Sequence, residues 1–313
     1  MLCDRKPQNT KTPKHQNTPY FHQMPQNFWQ KPIETLQELL SRKAPHLRQI
    51  RHHFSPALGR ELSLDIYLPP DYHLSPGRRY PLVLFNDGQD LPVMHFSKIL
   101  ETLYFNRSIP YCIAVGVHAN EDRIREYGTA RQADYKGRGD RAPQFRDFIV
   151  HELMPYLQQR FRLSDDRHER VYAGFSLGAL SAFDIAWAYP QLFGVVGVFS
   201  GALWWRWEPV HEHDPDASRI LHDIVHKAHG PNHGQRYWLQ AGTLDEEEDR
   251  NHNGIIDAID DTLDLIRALK HKGTHEVDIR YLEVEGGRHD THTWGQVMPD
   301  FLRWALIRGN SDM

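Results

Sequence analysis

The chain has 313 residues, enough to bury a sizeable core in one large domain. Its formal charge is −4 at pH 7, so no basic excess points to nucleic acid or to an anionic membrane surface. The two cysteines, Cys3 and Cys112, make no disulfide framework, and no apolar run approaches the roughly 18 residues of a membrane span.

Residues 1 to 32 are rich in Lys, Pro, Gln, Asn and Thr. Such a composition buries too little apolar surface to order itself, so a flexible tail is expected. The start has no apolar stretch of the secretory kind, and a cytoplasmic product is expected. Ile33, Leu36, Leu39 and Leu40 share one face of a short helix. Residues 33 to 313 are read as a single domain.

Further on, Glu61–Leu68 alternates apolar and polar residues and stops at Pro69-Pro70, the pattern of a half-buried strand. Short continuous apolar runs follow at 81–86, 112–117, 171–173, 195–200 and 237–241, with another strand at 277–284. Between them lie helical stretches at about 90–105, 143–160, 177–189, 258–272 and 295–307. Apolar strands alternating with helices predict an α/β fold: a mostly parallel sheet covered on both faces. Residues 202 to 235 fit no strand–helix unit and are expected to be an insertion over the active site.

Between the strand ending at Ala173 and the next helix stands GFSLG, Gly174 to Gly178. A serine between two glycines at a strand-to-helix turn is lifted into the open. The N-terminus of the following helix then faces any negative charge that develops beside it. Ser176 is therefore the candidate nucleophile. A serine nucleophile needs a base, and the base an orienting acid, in the chain order Ser, acid, His. His289 follows the last strand in the glycine loop EGGRH and is the candidate base, with His292 as its rival. Asp245 comes first after the turn that ends the strand at 237–241, and is the candidate acid; Glu246 and Glu247 are the alternatives. An oxyanion hole would use the N–H of Leu177 and one from the loop NDGQD, at Gln89 or Gly88. Asp87 is read as holding that loop by local hydrogen bonds.

The stretches FNDGQ (85–89), GFSLG (174–178), FSGALWW (199–205) and GGRH (286–289) with Trp294 resemble the esterase family that includes enterochelin esterase and esterase D. Phe145 to Leu157, with ELMP at 152–155, is similar to the helix that precedes the nucleophile strand in that family. Together these stretches spread over most of residues 50 to 307. The resemblance implies an α/β-hydrolase fold and hydrolysis of a small-molecule carboxylic ester through an acyl-enzyme, with no cofactor required for catalysis. SGALWW is closest to the siderophore-esterase branch, although the chain shows no basic cluster suited to an anionic catechol.

Two further motifs accompany these. Trp204, Trp205 and Trp207, with Arg206 among them, follow the strand ending at Ser200; Trp204, Trp205 and Arg206 are expected to line the substrate, favouring aromatic or bulky esters. DRNHNGIIDAID, residues 249 to 260, fits the start of an EF-hand-type loop. Asp249, Asn251, Asn253, the carbonyl of Ile255, Asp257 and Asp260 would hold a structural Ca²⁺. The same triad would also serve an acyltransferase that excludes water, and a calcium-binding protein on an inactive hydrolase scaffold is a non-enzymatic reading.

Overall fold

The apolar runs become the buried centre of one sheet. The computed structural model describes residues 43–230 and 234–308. The expected tail at 1–32, the helix at 33–40 and Cys3 lie outside the described residues. The strands are β1 (His46–Ser55), β2 (Arg60–Leu68), β3 (Leu82–Asn86), β4 (Ile113–Val117), β5 (Arg170–Phe175), β6 (Val195–Phe199), β7 (Arg236–Leu244) and β8 (Ile279–Arg288). They form a single sheet in the order β1-β2-β4-β3-β5-β6-β7-β8. β2 runs antiparallel to β1 and β4, and every other pair is parallel.

Every residue of β3, β4, β5 and β6 is buried. Alternate side chains divide between two cores, one on each face, as a parallel sheet covered on both sides requires. Val83, Phe85, Ala173 and Phe199 meet the helices α1 (Phe96–Phe105) and α8 (Thr291–Leu306) on one face. Leu84, Tyr172, Val196 and Val198 face the other core. There they meet α5 (Leu177–Ala188), α7 (Asp257–His271) and the helical run Ala142–Arg160. That run, read from the sequence as one helix, contains a π-helical turn at Phe148–Leu153. The arrangement is the α/β-hydrolase fold.

Two elements depart from the sequence reading. β1 carries no clear alternation; most of it is exposed at the sheet edge, where nothing demands an apolar face. β8 runs on through Gly286 and Gly287, and β7 and β8 keep pairing past a register shift as far as Leu244 and Arg288. The two glycines therefore belong to an irregular strand end, and His289 stands directly after it. Within the expected insertion, α6 (Ile220–Lys227) forms, and the rest of the described part is irregular. Among the described residues, no helix is long and apolar enough to cross a membrane.

Candidate active site

Ser176 sits between β5 and α5 at φ 55° and ψ −123°, a conformation L-residues adopt only when their surroundings impose it. Close packing imposes it here. A Cβ on Gly174 would stand 2.4 Å from the carbonyl of Gly178, and one on Gly178 would stand 2.4 Å from the Asp87 carboxylate. The Ser176 N–H donates to the Phe199 carbonyl at 2.9 Å, tying the turn to β6. Ser176 itself stays partly exposed, and Leu177 opens α5. The first N–H groups of a helix have no partner within it, and Leu177 carries the first of α5.

The loop after β3 approaches from one side. Gly88–Asp90 forms a short 3-10 turn packed against β4, where a Cβ on Gly88 would meet Gly116 at 2.4 Å. The Gln89 side chain accepts from the Ala119 N–H at 3.0 Å and donates to Asp87 at 3.2 Å, which pins the turn. Asn86 donates to the Gly178 carbonyl at 2.8 Å and so joins this loop to the serine turn. Asp87 is more than a local brace. Arg123 binds both its carboxylate oxygens at 2.7 Å and reaches the Phe175 carbonyl at 3.3 Å. The sequence reading missed Arg123, because a partner 36 residues away leaves no local signal. Asp90, half-buried beside Asp87, has its carboxyl pushed up to about 6, first by desolvation and then by that neighbouring charge.

His289 and Asp245 arrive from the far side of the sheet. The His289 ring stands edge-on to Trp294 at 5.4 Å, and Trp294 stacks on Phe175 at 5.1 Å, next to the serine. Part of His289 is open to solvent. Desolvation of the rest still lowers its pKa below 6.5; Asp245 opposes that shift, and Arg123 adds to it. Asp245 accepts from the Gly242 N–H at 2.9 Å through Oδ2, while its buried Oδ1 has no hydrogen-bond partner. Burial raises the Asp245 pKa, and the nearby His289 opposes that rise.

The rivals point elsewhere. His292 contacts Gln296 at 3.0 Å and lines a groove of about 550 Å³ between α1 and α8, to which none of Ser176, Asp245 and His289 contributes. Glu246 is half-buried; its carboxyl rises to about 7, chiefly through burial and next through the charge of Asp257 at the start of α7. Glu247 is exposed.

The tryptophan stretch needs correction. Trp205 is fully buried, its ring 3.0 Å from where a Cβ on Gly128 or Gly139 would stand. Arg206 is 4% exposed and donates to the Ala217 carbonyl. Neither side chain is open to a substrate: the ring fills the core, and the guanidinium is held by its own loop. Trp204 and Trp207 remain partly exposed. Arg138 lies over the Trp204 ring at 4.9 Å.

The 249–260 loop closes largely on itself. Asp249 accepts from the Asn253 and Gly254 N–H groups at 3.1 and 2.9 Å, and Asn253 accepts from the Ile255 N–H at 2.8 Å. Asn251 and Asn253 both donate to Asp260, at 2.8 and 3.2 Å. Asp257 turns away to Arg250, which it meets at 2.9 Å through the backbone N–H. Arg250 also binds Asp216 and Asp261, and Arg219 binds Asp261 and Asp264, so buried ion pairs join this loop to residues 216–219 of the tryptophan segment. The carboxylates of Asp216, Asp260 and Asp264 lie within 4.8 Å of one another.

The family model described as Putative esterase matches residues 55–305. An uncharacterised protein of Bacillus subtilis (strain 168) is 26% identical over 225 residues, 72% of this chain and 84% of that protein. The iron(III) enterobactin esterase of Escherichia coli O6:H1 is 25% identical over 237 residues, 74% of this chain but 49% of that enzyme. A solved ferulic acid esterase superposes with a TM-score of 0.64 at 17% identity, covering 84% of this chain and 98% of that one. The enterobactin esterase of Shigella flexneri gives a TM-score of 0.66 at 21% identity, over 84% of this chain and 60% of that one. With a match across most of its length, the chain belongs to the Putative esterase family and is an ester hydrolase.

Proposed function

We propose that the protein is a serine carboxylic ester hydrolase that works through an acyl-enzyme. The observation that carries this reading is the strained Ser176, held at φ 55° between glycines that no larger residue can replace. Strain of that kind persists where the surroundings enforce it, and it clusters at active sites.

In the first half-reaction, Ser176 Oγ forms a bond to the acyl carbon and its proton passes to His289. The carbonyl oxygen gains the negative charge, and the N–H groups of Leu177 and Gln89 hold it. The C–O bond to the alcohol then breaks, and His289 returns its proton to the leaving oxygen. In the second half-reaction, water attacks the acyl-enzyme and gives its proton to His289; Ser176 then leaves and regains a proton. Asp245, with an unpartnered Oδ1 in its electrostatic reach, orients the imidazole and offsets its positive charge. The lowered pKa of His289 keeps the ring neutral, and so able to accept a proton, near neutral pH.

Esters with aromatic or bulky groups are the proposed substrates. The partly exposed Trp204 supports this, as do relatives that act on enterobactin or ferulic acid esters by name. The loop at 249–260 is proposed to take a structural Ca²⁺ through Asp249, Asn251, Asn253, Ile255 and Asp260, with Asp257 joining only if it leaves Arg250. The test of the mechanism is a stopped-flow record with an activated aryl ester such as a p-nitrophenyl ester. A burst of about one phenolate per enzyme before the steady rate is expected from acyl-enzyme accumulation. No turnover of any aryl or alkyl carboxylic ester would end the proposal.

A further inference from the structure

The groove between α1 and α8 has no part in the mechanism, although its volume of about 550 Å³ is that of a well-formed binding pocket. Its walls are largely apolar: Val93, Met94, Ile99 and Leu103 line one side, Gly295 and Pro299 the other. Val93 is 62% exposed. Gly295 and Pro299 stand one helical turn apart on α8 and together open the trough. Gly295 has no side chain, and a Cβ there would lie 3.3 Å from Met94. Pro299 has no N–H to give to the Gly295 carbonyl, so that carbonyl lacks its helical donor. The rim, in contrast, carries cations: Lys98 with His95 on the α1 side, and Arg303 with His292 on the α8 side. Lys98 pairs with Glu101 at 3.1 Å and Arg303 with Asp300 at 2.7 Å, each three residues along its own chain segment and with the cation about half exposed. Such surface pairs contribute little, so an incoming carboxylate can compete for both cations.

Residues 33–40, IETLQELL, fit this groove in polarity, length and position. On a helix, Ile33, Leu36, Leu39 and Leu40 share one face, while Glu34 and Glu38 stand one turn apart on its flank. The segment carries two acids and no base, opposite in sign to the cations of the rim. The groove runs along α8 from Thr291 to Arg303, about 18 Å at 1.5 Å per residue, and an eight-residue helix needs about 12 Å. The described chain begins at the right end. Lys43 Nζ donates to the Tyr111 hydroxyl at 2.7 Å, and Tyr111 stands edge-on to Tyr104 of α1 at 4.8 Å. Tyr104 follows Leu103, which lines the groove. Leu40 precedes Lys43 by three residues, a span of at most about 10 Å, which keeps it near the Leu103 end.

We propose that residues 33–40 of the same chain dock in this groove as a short helix, with Ile33, Leu36, Leu39 and Leu40 on its floor and Glu34 and Glu38 toward its basic rim. A helix of this length is too short to hold in water by itself, so the groove supplies what orders it. Docked there, the segment bridges the helix that follows the Gln89 loop and the helix that follows His289.

Amide hydrogen exchange and photo-crosslinking on the full chain test this. The amides of 33–40 should exchange about 10-fold more slowly in the wild type than in Leu36→Asp/Leu40→Asp. The same double change should quicken exchange at 94–103 and 291–303 and lower the melting temperature by about 2–4 °C. A photoactivatable benzophenone amino acid placed at Gln37 spares the four apolar residues, and should crosslink within one chain to 93–103 or 291–303. Crosslinks between two chains would give the groove to a second copy and overturn the proposal. Crosslinks to any other part of the chain, or equal exchange of 33–40 in wild type and double variant, would overturn it as well. None of these readouts involves ester turnover, so their failure leaves the serine mechanism standing.

Discussion

Arg123 holds both oxygens of the Asp87 carboxylate at 2.7 Å, and its Nη2 also reaches the carbonyl of Phe175, the residue before Ser176. Asp87 has a left-handed backbone at φ 56°, and its side chain is 1% exposed. The pair therefore clamps the loop that offers Gln89 to the turn that offers Ser176. Removing the arginine strands a buried carboxylate. Arg123→Ala is expected to cost on the order of 3 kcal/mol or more in chemical denaturation, with a fall in kcat. Arg123→Lys should recover only part of either, since an ammonium cannot grip both oxygens of a carboxylate in a planar fork. An Arg123→Ala protein of wild-type stability would show that the clamp is idle.

The pH profile offers an independent check on the base. Desolvation lowers the His289 pKa, Asp245 acts against it, and Arg123 acts with it. His289 accepts a proton only when neutral, so activity should be retained to a pH below the ordinary histidine value of about 6.5. Asp245→Asn removes the influence that raises the pKa, so the acid limb should move lower still while kcat falls by on the order of 10⁴. A limb that moved upward in Asp245→Asn would contradict the pairing. His292→Ala, altering a ring turned to Gln296, should leave the profile as it is.

Trp204 and Trp205 are neighbours with different expected roles. Trp205 is fully buried between loops, so Trp205→Ala should destabilise the fold by about 3–5 kcal/mol. Trp204 is partly exposed, so Trp204→Ala should leave stability nearly unchanged. It should lower kcat/KM for an aryl-bearing ester relative to a simple acetate by about 10-fold. Equal loss on both esters would remove Trp204 from the substrate site.

Millimolar calcium is expected to raise the melting temperature, and a chelator to reverse the rise. Asp249→Ala should abolish the response, because Asp249 is the first donor of the loop and now only caps its backbone. A melting temperature indifferent to calcium would leave the loop as a self-capped turn braced by Asp260 and Arg250.

Much of the sheet could be read from the sequence because its central strands are buried on both faces and must be apolar throughout. Ser176 could be read as a candidate for a related reason: the close approach of Gly174 to Gly178 leaves a local glycine signature. What escaped has no local signature. Exposed β1 needs no apolar alternation. Arg123 is defined by a partner 36 residues away. Trp205 and Arg206 have the composition of a substrate wall, yet only the packing of residues 128–139 and 217 shows them facing inward. The reach of β8 through two glycines was hidden as well, because pairing with β7 overrides their weak strand propensity.

The central claim is that Ser176 is the nucleophile, and covalent trapping tests it most directly. The protein is incubated with a fluorophosphonate, the intact mass is measured, and the modified peptide is sequenced. The account predicts one adduct per chain, located on Ser176 and formed in step with loss of ester hydrolysis. Ser176→Ala, folded to the same melting temperature, should take no label and lose on the order of 10⁶ in kcat. An adduct on another residue, or a Ser176→Ala protein that keeps wild-type turnover, would contradict it.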